Sequence, residues 1–213
     1  WIDPDDVGAS VLAGRATGGQ GVYVQTRLRQ TAVPANEASL DWGGSTTVDT
    51  AGDGDVTLAI DVQAPVWAPF DTVEIYANAE TFAVGFNDGT PVDFDALPTM
   101  TLVAGSDFVL PPPVDVVPGL DGAQRQELHM EVPFSLVEDT WFVVVVRGSD
   151  GVSEPMFPVY ASNLQIAGNA TLADLVDGNL GESGTMALGA TNALFADVDG
   201  NPGFDAPGVR LAP

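Results

Sequence analysis

The residues best placed to do chemistry run from Asp197 to Asp205, in the sequence DVDGNPGFD. Side-chain oxygens at Asp197, Asp199 and Asn201, a backbone carbonyl at Gly203 and a further carboxylate at Asp205 recur at every second position. That is the spacing with which an oxygen-lined loop turns ligands toward calcium. Pro202 stands where such a loop carries its turning glycine, and Gly208 stands where a bidentate glutamate would close it. An EF-hand is therefore excluded, and a looser calcium loop remains. The same residues also suit an aspartate-rich turn with no ion, because Asp and Asn side chains bond to their own backbone two residues on. Asp49, Asp53 and Asp55 pose the same choice between cation and solvated loop.

Other candidates for chemistry fall away. His129 is the only histidine and there is no cysteine, so neither a transition-metal site nor a familiar nucleophile triad can be assembled. Ser10, Ser106, Ser135 and Ser183 lie in no G-x-S-x-G elbow. Asp5-Asp6 and Glu138-Asp139 read as a helix start and a turn rather than as a glycosidase pair. Trp42, Trp67 and Trp141 can stack on a sugar if they line a groove, but core or corner packing is the expectation for each. The Gly-rich turn from Thr17 to Gly21 lacks the strand-then-helix context of a phosphate loop.

The elements that must position these residues are strands. From Asp55 to Val62 the residues Val56, Leu58, Ile60 and Val62 alternate with Thr57, Ala59 and Asp61, and Val73, Ile75 and Ala77 alternate with Thr72, Glu74 and Tyr76. Pro65 and Pro69 interrupt any ladder between the two runs, so a proline-pinned corner holding Trp67 is expected to join them as the two-stranded seed of one sheet. Strands are also expected over Val22–Arg29, Thr101–Val103, Phe108–Leu110, Gln126–Leu136 and Thr185–Phe195. The apolar run Trp141–Arg147 predicts a central strand covered on both faces. Asp53-Gly54 is a hairpin-type signal, Phe82–Thr99 reads as loop, and Pro111-Pro112-Pro113 as an irregular connection. Met156–Tyr160, between prolines, reads as an edge. Helix signals are confined to Asp3–Gly14 and a short segment near Thr171–Val176.

The 213 residues are 45% apolar and suit one large domain. The expected fold is all-β, an immunoglobulin/fibronectin-like β-sandwich with a short N-terminal helix and a small C-terminal appendage. In this reading residues 1–21 end an upstream domain, 22–162 form the sandwich, and 163–213 make an extension that carries the Asp-rich loop and packs on it. The longest greasy stretch, Trp141–Val146, is too short to span a bilayer. With no lysine, six arginines and a net charge of -24, the chain repels phosphate backbones and anionic headgroups, which argues against nucleic-acid and acidic-membrane partners. The absence of cysteine excludes disulfides and thiolate metal sites and leaves the compartment open. Starting at Trp1 without a methionine or an apolar leader, the sequence is expected to begin inside a longer or processed polypeptide.

Several segments together resemble the C-terminal region of CehA/McbA-like PHP-domain metallohydrolases of secreted bacterial type. They are Ala13-Gly14-Arg15 with the turn to Gly21, APVWAPFDTVEIYAN at Ala64–Asn78, EDTWFVVVVRG at Glu138–Gly148, LADLVDGNLGE at Leu172–Glu182 and TNALFADVDGNPGFDAPG at Thr191–Gly208. Val22 and Ala193 stand where that family carries proline. The resemblance implies that the metal-binding histidines and aspartates of the catalytic barrel lie upstream of Trp1, with Asp3–Gly14 as the barrel's last helix. The chain would then be a non-catalytic accessory domain, extracellular or periplasmic, whose partner is the upstream catalytic domain of the same polypeptide. The other class of function the sequence leaves open is a stand-alone binding or adhesion module for a glycan or protein ligand.

Overall fold

The computed structural model describes residues 16–41, 44–87, 90–117, 123–148, 157–158, 184–185, 187–201 and 203–205. The helices expected at Asp3–Gly14 and near Thr171–Val176 lie outside these residues, as do Trp42 and most of Met156–Tyr160. Among the described residues the protein is all-β, and no helix is long and apolar enough to cross a membrane. In chain order the strands are β1 (Thr17–Gln20), β2 (Tyr23–Gln30), β3 (Glu37–Ser39), β4 (Thr47–Asp49), β5 (Asp55–Pro65), β6 (Thr72–Ala77), β7 (Thr81–Asn87) and β8 (Thr90–Ala96). They continue with β9 (Met100–Val103), β10 (Val114–Asp115), β11 (Gln124–Ser135), β12 (Thr140–Arg147), β13 (Phe157–Pro158), β14 (Gly184–Thr185), β15 (Leu188–Thr191) and β16 (Leu194–Asp197).

Two sheets share one core. The five-stranded sheet has the order β10-β11-β5-β2-β3, with β5 in register against β11 over eleven pairs from Arg125↔Pro65 to Ser135↔Asp55. In the seven-stranded sheet β12 is central. It pairs with β6 on one side, and on the other with β15 near its end and β16 near its start. β9 extends the sheet beyond β6, β1 beyond β15, and β4 runs parallel to β16.

Period-two patterning decides which side chains meet between the sheets. Val24, Leu28, Val56, Leu58, Ile60, Val62 and Leu128 of the first sheet and Val73, Ile75, Phe142, Val144, Val146, Leu194 and Ala196 of the second are all buried in one cluster. Each large side chain so buried contributes about 1.5–3 kcal/mol. Phe134 and Phe142 meet edge to face across the sheets at 5.0 Å between ring centroids. At Gly189 the layers come so close that a Cβ would sit 2.7 Å from Val24 Cγ2, so only glycine fits there.

Several expectations are corrected. The proline corner does not join neighbours in one sheet: β5 and β6 belong to opposite sheets, and the corner carries the chain from one layer to the other. Trp67 is 62% exposed on it, while Ala68 and Phe70 fill the core instead. Asp53-Gly54 likewise leads from β4 in one sheet to β5 in the other. The left-handed residues of that turn are Ala51 and Gly52, while Gly54 is required because the Leu136 backbone crowds the position of a Cβ. The loop expected over Phe82–Thr99 contains the β7–β8 hairpin. Finally, β12 is central, as expected, but buried on one face only: Phe142, Val144 and Val146 are buried while Trp141, Val143 and Val145 are half-buried.

Phe108–Leu110, expected as a strand, makes only an isolated bridge from Phe108 to Ala104. β15 and β16 fall in the range expected as a C-terminal extension, and both are hydrogen-bonded into the seven-stranded sheet.

Candidate functional site

Two regions gather polar side chains. The first lies where β12 begins and β16 ends. Leu194 and Ala196 point into the core, so Phe195 and Asp197 point away from it. The chain after β16 then folds back over that outer surface, with Phe204 packed on Phe195 at 4.8 Å between centroids. Asp197 is thereby covered to 3% exposure although it sits on the outward side of its strand.

Asp139, at 5% exposure in the turn before β12, holds this returning chain in place. Its Oδ1 accepts from the Val198 N–H at 2.8 Å and the Asp199 N–H at 3.3 Å, and its Oδ2 accepts from the Asp205 N–H at 2.7 Å. Asp199 is exposed, and its two oxygens accept from the Asn201 N–H at 2.9 Å and from Asn201 Nδ2 at 2.6 Å. One carboxylate oxygen from each of Asp139, Asp197 and Asp199 lies within 4.8 Å of the other two.

The Asp197 main-chain carbonyl is well served, accepting from the Thr50 N–H at 2.9 Å and its hydroxyl at 3.0 Å. In its carboxylate, Oδ1 is buried with no hydrogen-bond partner among the described residues, although the Gly203 backbone hydrogen-bonds to the same carboxyl. Burial pushes the Asp197 carboxyl above its ordinary range, and the negative charges of Asp139, Asp49 and Asp199 push the same way, against a smaller lowering by the Gly203 backbone hydrogen bond. Among the described residues, no ion pair reaches any of the three carboxylates.

Of the five residues marked out by spacing, Asp197 and Asp199 come together. Asn201 and Asp205 sit at the exposed rim, where Asn201 Nδ2 donates to Asp205 Oδ2 at 3.1 Å. Gly203 supplies a left-handed turn at φ 98°. Asp139 was missed. The ladder pair Thr140↔Ala196 puts it opposite Asp197, but that pairing joins segments more than fifty residues apart.

The second region is the outer face of the five-stranded sheet, where odd-numbered residues point outward. Arg27 donates to Asp61 at 2.8 Å, His129 shares a 2.7 Å hydrogen bond with the same carboxylate, and Arg29 pairs with Glu131. Burial pushes the Asp61 carboxyl up, but the hydrogen bonds and charges of His129 and Arg27 outweigh it and hold the group below its ordinary value. Beside this network a cleft of about 270 Å³ lies between the sheet and the proline strap, lined by Asp61, Gln63, Glu127 and His129 on one wall and Pro111 and Pro112 on the other. His129 is on the surface, as its odd position in β11 predicts. On the other sheet Glu74 accepts from Arg147 and from Tyr76. Burial and that glutamate push the Tyr76 phenol up to about 12.

No protein family, curated protein or solved structure matches this chain in comparisons of sequence and fold.

Proposed function

We propose that this is a non-catalytic accessory module, an immunoglobulin/fibronectin-type β-sandwich that packs on and positions the catalytic domain of a larger, exported PHP-like metallohydrolase. The observation that carries this reading is an apolar corner left in solvent. Val66 and Trp67 of the β5–β6 corner are exposed, and so are Val114, Val116 and Val117 on and after β10. They share one end of the five-stranded sheet: the Val66 N–H donates to the Gln124 carbonyl, Val114 pairs with Arg125, and the Val116 N–H donates to the Ala123 carbonyl. Exposed apolar residues gathered at one place suit a protein interface better than open water.

The reading frame upstream of Trp1 tests this directly. Histidine- and aspartate-rich metal motifs are expected there, and a frame without them overturns the proposal. A Trp67→Ser chain is further expected to lose its association with that upstream domain in co-purification.

The outer-face cleft favours a second reading, a module that binds a glycan. Carboxylates, an amide and an imidazole face two proline rings, and exposed Tyr23 stands beside Gln63 in the ladder. That is a mixture of hydrogen-bonding groups and flat apolar surface. Retention on a glycan array that disappears in Tyr23→Ala supports this alternative, and an array with no signal removes it.

A further inference from the structure

We propose that Asp139, Asp197 and Asp199 hold a hard divalent cation, with calcium as the ion that fits best. The site joins two parts of the chain that sequence spacing does not connect: Asp139 comes from the β11–β12 turn, while Asp197 and Asp199 come from the end of β16 and the residues after it. It differs from a loop that wraps an ion with its own alternate residues, and it stands independently of the accessory-module reading.

Two separate observations point to a ligand. The first is the convergence of three carboxylates, each with an oxygen within 4.8 Å of the others. The second is Asp197 Oδ1, which lies on a residue 97% shielded from solvent and has no hydrogen-bond partner among the described residues. A buried anionic oxygen is tolerated when it is paired or coordinates a metal. No arginine pairs with it among the described residues, and the carboxylates nearby add repulsion rather than relief.

The chemistry of the donor set selects the ion. All three donors are oxygens, with no imidazole or thiolate, which suits calcium, magnesium or manganese rather than zinc or copper. Asp139 and Asp199 already accept hydrogen bonds that fix their carboxylates. A carboxylate has about four lone-pair positions, so each keeps capacity for an ion. Asp199 is exposed and opens the trio to water. Calcium completes a coordination shell of about six to eight oxygens with water and tolerates irregular geometry, whereas magnesium demands a near-ideal octahedron. Bound there, the ion clasps the returning chain after β16 to the start of the central strand β12.

The test is calorimetric melting and isothermal titration of the full chain in EDTA, in calcium and in magnesium. With calcium at a hundredfold excess over its dissociation constant, the midpoint is expected to rise by roughly 5 °C or more. Asp197→Asn is expected to abolish both the rise and the titration heat while melting in EDTA at or above the parent's temperature, which shows that the variant folds. Asp115→Asn, an exposed acid away from the site, is expected to keep the full rise. No calcium-dependent rise in the parent overturns the proposal. So does an equal rise in Asp197→Asn, which assigns the effect to screening of the chain's net charge, and so does a response to magnesium alone.

Discussion

On the outer face of the five-stranded sheet Asp61 is held between Arg27 and His129, whereas at the end of the seven-stranded sheet Asp197 is more deeply buried and, among the described residues, has no ion pair. The first carboxylate is half in water, where an ion pair costs little to make and returns little. The second is out of water, where any imbalance of charge is felt strongly. Most of the described arginines, Arg27, Arg29 and Arg125, lie on that outer face, in a chain with few cations to distribute. Among the described residues, positive charge is concentrated where its energetic value is modest rather than where the need for it is greatest.

The sharpest way to break this contrast is at Asp139. Asp139→Ala leaves three backbone N–H groups without their acceptor, so a loss of about 2–4 kcal/mol is expected in urea unfolding, with the chain after β16 the first part to become labile to protease. Next comes Asp197→Asn in chelator, which removes a buried charge at constant shape and is expected to be neutral or stabilising by about 1–2 kcal/mol. A loss of similar size would show that an unseen partner already balances that carboxylate.

On the paired face, Asp61→Asn is expected to cost only about 0.5–1 kcal/mol at neutral pH. The sign follows from the depressed carboxyl. Its contribution is complete above the unfolded value of 3.8 and is lost as the pH falls through the lower folded value, so parent and variant should converge in stability in that acid range. Convergence at higher pH would mean that Arg27 and His129 do not hold Asp61 as described. The smallest effect belongs to Trp67→Ala, expected to lie within about 0.5 kcal/mol on the isolated chain because the side chain is mostly in solvent.

Much of the fold was legible in local pattern. Val56, Leu58, Ile60 and Val62 announce the buried face of β5, and Leu128 and Val132 that of β11, because alternation is a property of a single strand. Which sheet a strand joins is not local, so β5 and β6 read as neighbours when the proline corner separates them into opposite layers. The β7–β8 hairpin was legible and overlooked, since Phe82, Val84 and Phe86 alternate with Ala83 and Gly85, Val92 and Phe94 alternate with Asp93 and Asp95, and Asp88-Gly89 sits between the two runs in sequence. At the acidic end spacing identified Asp197 and Asp199, but alternation places Asp197 toward water. Its burial depends on Phe204 and Asp205 folding back, and Asp139 enters only through the β12–β16 ladder. The PHP resemblance bears on function and remains a proposal.

The placement of β1 and β4 beside β15 and β16 sets an order of events during synthesis. Segments within the first fifty residues must wait for partners that leave the ribosome roughly 150 to 175 residues later, through the pairs Thr17↔Thr191 and Val48↔Ala196. Sequence-distant pairing of this kind delays the search for the native state toward the millisecond-to-second range. Until those last strands arrive, one margin of the nascent sheet stays unpaired and open to capture by a neighbouring chain.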